Sequence, residues 1–319
     1  MTKFADRFTQ MISGDMPDAE ICAHLLAWED AGVTPQHLTT AANLLRERMV
    51  PVTAPESAID IVGTGGDGLK TYNISTAVLF VVAGAGVPVA KHGNRAVSSR
   101  SGASDVLREL GVRLDISPTQ TENCIAQAGV GFLFAPNHHP AMGAVAKARA
   151  NLGVRTIFNR LGPLCNPASV RHYLLGVYDD DLRELYAHTV SGLGVKRALV
   201  VHGGDGMDEI TTTTATQISE VNGDTITEHT ISPRDFGMRI ATLTDLEGGD
   251  AVHNAKALRA VLDGTGGAYR DIVLLNAGAA LYAAAQADTI GTGIEMAQTS
   301  ISSGRAHAAL EKLVEVSNG

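Results

Sequence analysis

Apolar positions recur at helical spacing through the first 50 residues. Phe4, Phe8, Met11 and Ile12 form a stripe that Ser13-Gly14 stops. Pro17 suits a first helical position, and Ile21, Leu25 and Trp28 follow on one face up to Gly32. Thr34-Pro35 reads as a cap with a first-turn proline, and Leu38, Ala42, Leu45 and Met49 continue the stripe. No strand pattern occurs here, so a small helical unit is predicted. From Ala58 the style changes. Ile59-Asp60-Ile61-Val62 predicts a short strand that runs into a glycine loop, and Asn73-Ile74-Ser75-Thr76 opens an apolar helix. Val87-Pro88-Val89-Ala90 predicts a second strand ending at Lys91-His92. Residues 131–134, 174–177 and 198–201 predict further buried strands, alternating with helical stretches. That alternation predicts an α/β fold, a mostly parallel central sheet with flanking helices. Residues 217–221 and 225–230 flank Asn222-Gly223, a strong hairpin signal. Residues 161–167 read as an ordered loop between the helical and sheet parts, and the chain from His253 onward is alanine-rich and helical.

Composition narrows the picture. The chain has 319 residues, 45% hydrophobic and 18% charged, the balance of a soluble globular protein with ample core. With 25 basic against 34 acidic residues the net charge is −9, which argues against a nonspecific nucleic-acid binder. It leaves room for a small anionic substrate in a local basic pocket. Cys22, Cys124 and Cys165 are far apart and suggest neither a disulfide framework nor a zinc knuckle. The opening MTKFADRFTQ lacks a signal-peptide core, and the most apolar stretch, 77–90, is broken by Gly84, Gly86 and Pro88. A cytoplasmic protein without a membrane partner is expected.

Four segments could carry chemistry. The first is the glycine loop after the first strand. Glycine lets backbone N–H groups approach an anion, and the following helix offers its positive end. Gly63, Gly65 and Gly68 match a dinucleotide fingerprint, but the helix starts too late and the second strand ends in Lys91-His92 where a ribose-binding carboxylate is wanted. For the glycines alone, a bare turn and an anion site remain equally open. The second segment, residues 91–102, packs three cations, three hydroxyls and two glycines beyond a strand's carboxyl end, an inventory that fits a phosphate or pyrophosphate. Third, Asp208-Glu209 follows a buried strand and suits Mg²⁺ held through carboxylates and substrate phosphates. Fourth, His138-His139 precedes Arg149 by nearly three turns of a helix that begins at His139. Adjacent histidines point apart on a helix, so a metal reading is weak, whereas Arg149 suits a carboxylate.

Taken together these segments resemble the anthranilate phosphoribosyltransferase family. The match rests on Gly63-Thr64-Gly65-Gly66-Asp67, Asn73-Ile74-Ser75-Thr76, residues 91–99, Arg155-Thr156-Ile157-Phe158-Asn159 with Leu161-Gly162-Pro163-Leu164, and Asp208-Glu209, in that order. The resemblance implies a nucleoside phosphorylase and class II phosphoribosyltransferase type of fold. A helical domain (residues 1–56 and 136–170) would join an α/β domain (57–135 and 171–319), in a homodimer. It implies Mg²⁺-dependent transfer of the phosphoribosyl group of phosphoribosyl pyrophosphate to the amine of anthranilate, a step of tryptophan biosynthesis. By the same match, Gly63, Gly65, Gly66, Asp67, Thr71, Asn73, Ser75, Thr76, Lys91 and Ser99 would hold phosphoribosyl pyrophosphate. Gly63, Asn94, His139, Arg149 and Pro163 would meet anthranilate, and Ser75, Asp208 and Glu209 would hold the metal. No residue is singled out as a chemical catalyst. The chain departs from the family pattern at Ala103-Ser104-Asp105, where Ser-Ala-Asp is common, at Cys165, where threonine is common, and at Gly143, where lysine is common. Two alternatives remain open. A pyrimidine nucleoside phosphorylase would use a similar phosphate loop without needing Asp208-Glu209. A noncatalytic nucleic-acid-binding relative would want a basic stripe and a damaged metal pair.

Overall fold

The computed structural model describes residues 1–94 and 101–319. In chain order its elements are α1 (Thr2–Ser13), α2 (Asp18–Ala31), α3 (Pro35–Arg46), β1 (Ile59–Gly63), α4 (Ile74–Gly84), β2 (Val89–Gly93), α5 (Ala103–Glu109), α6 (Pro118–Ala128), β3 (Val130–Phe134), α7 (Ala135–His138), α8 (Gly143–Leu152) and α9 (Ile157–Leu161). There follow β4 (His172–Gly176), α10 (Asp181–Gly192), β5 (Arg197–Gly203), β6 (Thr216–Asn222), β7 (Thr225–Ile231), α11 (Ala251–Leu262), α12 (Ala268–Ala283), α13 (Ile290–Ser302) and α14 (Arg305–Asn318). Among the described residues the strands form one sheet in the order β3-β2-β1-β4-β5-β6-β7, parallel through β5 and antiparallel beyond it.

The period-2 alternation of side chains along each strand divides the core into two layers. Ile59, Ile61, Val89, Phe132, Leu174, Leu199 and Val201 face a layer built from α4, α5 and α11–α14. Ala90, Leu133, Tyr173, Leu175, Ala198 and Val200 face the other layer, with α1–α3 and α8–α10. The early helices pack on α8, α9 and α10, of which α10 lies against β5 and β6, and Phe8 of α1 stacks on Phe158 of α9 at 5.3 Å. The expected α/β architecture with flanking helices is what the structure shows.

Local chemistry sets several boundaries. Gly14 ends α1 in the left-handed conformation, and Thr34 caps α3 by accepting from the His37 amide at 3.3 Å. Some expectations shift. The helix α3 ends at Arg46, so Met49 lies in the turn beyond it, and Pro17 is the cap of α2 rather than its first residue. The second strand begins at Val89, because Pro88 has no N–H and leads into the strand rather than joining it. In the hairpin, Asn222 pairs with Thr225, so the two-residue loop is Gly223-Asp224. Gly223 alone takes positive φ (57°), as a type II′ turn requires of its first central residue.

Residues 135–152 are not one helix. The backbone leaves α7 at His139 (φ −120°, ψ 66°), passes through a 3₁₀ turn at Pro140–Met142, and only then enters α8. Proline at 140 disfavours helical geometry for the residue before it, which is why His139 breaks the run instead of starting it. Residues 162–164 form a 3₁₀ turn directly after α9.

Candidate functional site

The strand order reverses between β1 and β4, and parallel sheets bind ligands outside the carboxyl ends of strands at such a point. Both strands end there in glycine, and Gly63 pairs with Gly176. The reason is steric. A Cβ on Gly63 would lie 2.3 Å from Asp208 Oδ2, and one on Gly176 would lie 1.6 Å from the Asp208 carbonyl oxygen. The two glycines thus make a cradle into which the chain after β5 drops Asp208. The Gly65 amide donates to Asp208 Oδ2 at 2.7 Å, so this loop already holds an anionic oxygen. Gly65 and Gly66 take φ of 65° and 83°, which only glycine adopts without strain. Asp67 turns back to accept from the Leu69 amide at 3.1 Å.

The helix α4 points its N-terminus at the same spot. Its cap, Asn73, is held on three sides. Its side chain donates to the Ser101 carbonyl at 3.1 Å and accepts from Asn254 at 2.8 Å, and its carbonyl accepts from the Tyr269 hydroxyl at 3.2 Å. The Ser75 amide donates to Glu209 Oε1 at 3.1 Å, and Ser75 Oγ accepts from Lys91 Nζ at 3.2 Å. Lys91 is buried and also donates to the Ile61 carbonyl. Thr76 is fully buried and its hydroxyl has no hydrogen-bond partner among the described residues. Thr71 forms an antiparallel bridge with Glu247 on the loop beside this site.

Asp67, Asp208 and Glu209 crowd together here, and Asp208 and Glu209 lie within reach of the Lys91 ammonium. Burial pushes the Glu209 carboxyl up to about 8, with the Asp208 charge adding to it. Burial, then Asp208, pushes Asp67 up to about 7, and burial raises Asp208 as well. Burial pulls Lys91 down, while Asp60, Glu209 and Asp208 oppose that shift. Such a surplus of crowded carboxylate suits a hard divalent cation. Among the described residues no cluster of three or more His, Cys, Asp or Glu would by itself hold a metal ion. Mg²⁺ is a hard divalent cation of that kind, bound through one or two carboxylates plus ligand phosphates.

A second group lies on the far side of β2. His92 Nδ1 is 3.0 Å from the Gly162 carbonyl, and its Nε2 is 3.1 Å from His139 Nε2. This places His139 beside the 3₁₀ turn that contains the buried Pro163. Burial drives the pKa of His92 down to about 3 and that of His139 to about 4, so both imidazoles are neutral near pH 7. Arg149 is half-buried on α8, its guanidinium 5.5 Å from the Phe158 ring centroid, and it forms no ion pair among the described residues. Asn94 is exposed at the end of β2, and Ser99 lies outside the described residues with the rest of segment 95–100.

Several participants belong to none of the four segments. Asp60 is fully buried, accepts from the His92 amide at 3.2 Å and from Asn166 Nδ2 at 2.7 Å, and Asn166 also donates to the Ala90 carbonyl at 2.8 Å. This clasp ties β1, β2 and the segment after Pro163 together. A charged residue inside the apolar run Ile59-Asp60-Ile61-Val62 was the available signal. Gly176, a glycine closing a buried strand, was another. At the departure from the family pattern, Ser104 is fully buried and its hydroxyl is unpartnered among the described residues.

Comparison with known proteins supplies independent findings. Residues 55–307 match the model of a glycosyl transferase family, a/b domain. An anthranilate phosphoribosyltransferase of Xanthobacter autotrophicus is 51% identical over 310 residues, covering 97% of this chain and 90% of that protein. The crystal structure of the anthranilate phosphoribosyltransferase of Thermus thermophilus superposes with a TM-score of 0.94 at 38% identity, covering 100% of this chain and 95% of the other. The solved structure of the Saccharomyces cerevisiae anthranilate phosphoribosyltransferase in complex with phosphoribosyl pyrophosphate and Mg gives a TM-score of 0.91 at 28% identity over 99% and 93% of the two chains.

Proposed function

This chain belongs to the anthranilate phosphoribosyltransferase family, and from that membership we infer which of its residues carry the reaction. The enzyme transfers the phosphoribosyl group of phosphoribosyl pyrophosphate to the amine of anthranilate and releases pyrophosphate, a step of tryptophan biosynthesis. Neither the phosphorylase nor the nucleic-acid-binding alternative is retained. The observation that carries the residue assignment is the convergence of Gly65, Ser75, Lys91, Asp208 and Glu209 at the point where the strand order reverses.

On this reading the glycine loop, Asn73, Ser75, Thr76, Thr71 and Lys91 bind the phosphoribosyl pyrophosphate. The Gly65 amide, which now grips Asp208, has the geometry to grip a phosphate oxygen. Lys91 contributes a desolvated positive charge whose field is strong because it is buried. Asp208 and Glu209, with Ser75 nearby, would hold Mg²⁺, which when bound supplies Lewis-acid stabilisation of the charge that gathers on the departing pyrophosphate. The anomeric carbon then develops oxocarbenium character, and fixed donors rather than a strong base lower the barrier. Anthranilate's aromatic amine is uncharged near neutral pH, so it needs placement. Arg149, a half-buried guanidinium with no carboxylate partner among the described residues, would take the anthranilate carboxylate. His139, Asn94, Gly63 and Pro163 would shape the pocket around the ring.

No described helix is long and apolar enough to cross a membrane. A homodimer in the cytoplasm is the assembly and location we propose, and gel filtration with light scattering tests the first. The reaction is tested by mixing the protein with Mg²⁺, phosphoribosyl pyrophosphate and anthranilate and following anthranilate fluorescence. Loss of signal that requires all three components supports the reading. Undiminished fluorescence with folded protein overturns it.

A further inference from the structure

One contact joins the acceptor side to the diphosphate side, and the established reaction leaves it unexplained. Arg155 lies on the short link between α8, which carries Arg149, and α9, which leads to Pro163. Its Nη2 donates to the Gly66 carbonyl at 3.1 Å. Its guanidinium lies over the Tyr178 ring, with Cζ 4.2 Å from the ring centroid. Tyr178 stands just beyond β4, and its amide donates to Thr64 Oγ1 at 3.2 Å. The Thr64 amide in turn donates to the Gly176 carbonyl at 2.9 Å. The arginine thus closes a ring of contacts around the glycine loop, from Gly66 through Tyr178 to Thr64.

We propose that Arg155 is a positioning residue that latches the glycine loop to the acceptor-binding helices. By drawing the Gly66 carbonyl outward toward itself, it leaves the loop's amides turned to the anion side. This rests on the assignment of the loop to the diphosphate and of α8 to anthranilate. The planar fork of arginine is what allows a hydrogen bond and a ring contact at once, and lysine cannot reproduce both. The fit is close. A Cβ on Gly66 would lie 2.1 Å from Arg155 Nη2, so only glycine lets the latch close. Arg155 is exposed, which makes its replacement tolerable to the fold.

The test begins with the wild-type assay, which decides the reaction by itself, before any variant is compared. For the latch, KM for phosphoribosyl pyrophosphate and kcat are measured for Arg155→Ala, Arg155→Lys, Gly66→Ala and the double variant Gly66→Ala/Arg155→Ala. Arg155→Ala raises that KM about tenfold, the loss of roughly one charge-assisted contact, with kcat changed less than about threefold. Arg155→Lys behaves like alanine. Gly66→Ala costs at least about tenfold less in the Arg155→Ala background than in the wild type, because the clash with Nη2 is gone and only the backbone strain remains. Full recovery by lysine would reduce the residue to a distant charge. A cost of Gly66→Ala that is the same in both backgrounds would show that the latch is not made in solution, and either result overturns the proposal while leaving the reaction standing.

Discussion

Replacing Gly176 by alanine isolates the geometry that places Asp208, one of the two proposed metal ligands. The position is extended at the end of β4, so alanine's backbone preference is no obstacle and the effect is purely steric. The new Cβ would meet the Asp208 carbonyl oxygen at 1.6 Å, and contacts under 3.0 Å are not tolerated, so something must yield by about 1.4 Å. Gly176 itself cannot yield, because it is paired with Gly63 on one side and Val201 on the other. Asp208 therefore moves, and the 2.7 Å bond from the Gly65 amide goes with it. Overpacking of this kind costs roughly 1–3 kcal/mol of stability. Displacing a functional group by ~1 Å costs about a hundredfold in rate, which is ~2.7 kcal/mol of barrier. Steady-state kinetics at varied Mg²⁺ read the effect. We expect kcat/KM for phosphoribosyl pyrophosphate to fall about a hundredfold, with a higher half-saturating Mg²⁺ concentration and a folded protein by circular dichroism. Activity within about threefold of wild type at unchanged Mg²⁺ dependence would mean that the position of Asp208 does not matter to the reaction.

Three further outcomes follow from the same geometry. Glu209→Gln removes one of three crowded carboxylates, so Mg²⁺-dependent activity should drop about a hundredfold or more while thermal stability without metal is kept or improved; loss of stability alongside unchanged activity would contradict the metal assignment. Arg149→Ala should raise the KM for anthranilate far more than that for phosphoribosyl pyrophosphate, and equal effects on both would remove Arg149 from the carboxylate-anchoring role. Stability should also depend on the neutral histidine pair. The folded pKa values of about 3 for His92 and about 4 for His139 lie below the ordinary 6.5, so the unfolded chain takes up protons first. The stabilisation is therefore full above about 6.5 and is lost as pH falls toward 4 and 3, which melting curves across that range will show. A His92→Gln variant should flatten part of that slope, and an unchanged slope would place the acid sensitivity elsewhere.

The sequence by itself determined the layers and singled out most of the residues that meet at the strand ends. Period-2 and period-3.6 apolar patterns survive folding because they are what burial against a sheet or a helix face requires. Glycines at 63, 65 and 66, Lys91 at a strand end and the Asp208-Glu209 pair could be read because each residue type is chemically unusual at its place in the pattern. Tertiary structure decided the rest. It set β4 beside β1, which turned two strand-end glycines into the cradle for Asp208, 32 and 145 positions away in the chain. It broke the run at His139 and so paired that imidazole with His92, a contact no helical wheel would propose. It also brought Arg155 onto Gly66 and Tyr178. The physical reason is the same in each case. Local preferences fix what a segment becomes, whereas contacts between strand ends and loops depend on strand order and on backbone closeness that no spacing along the chain records.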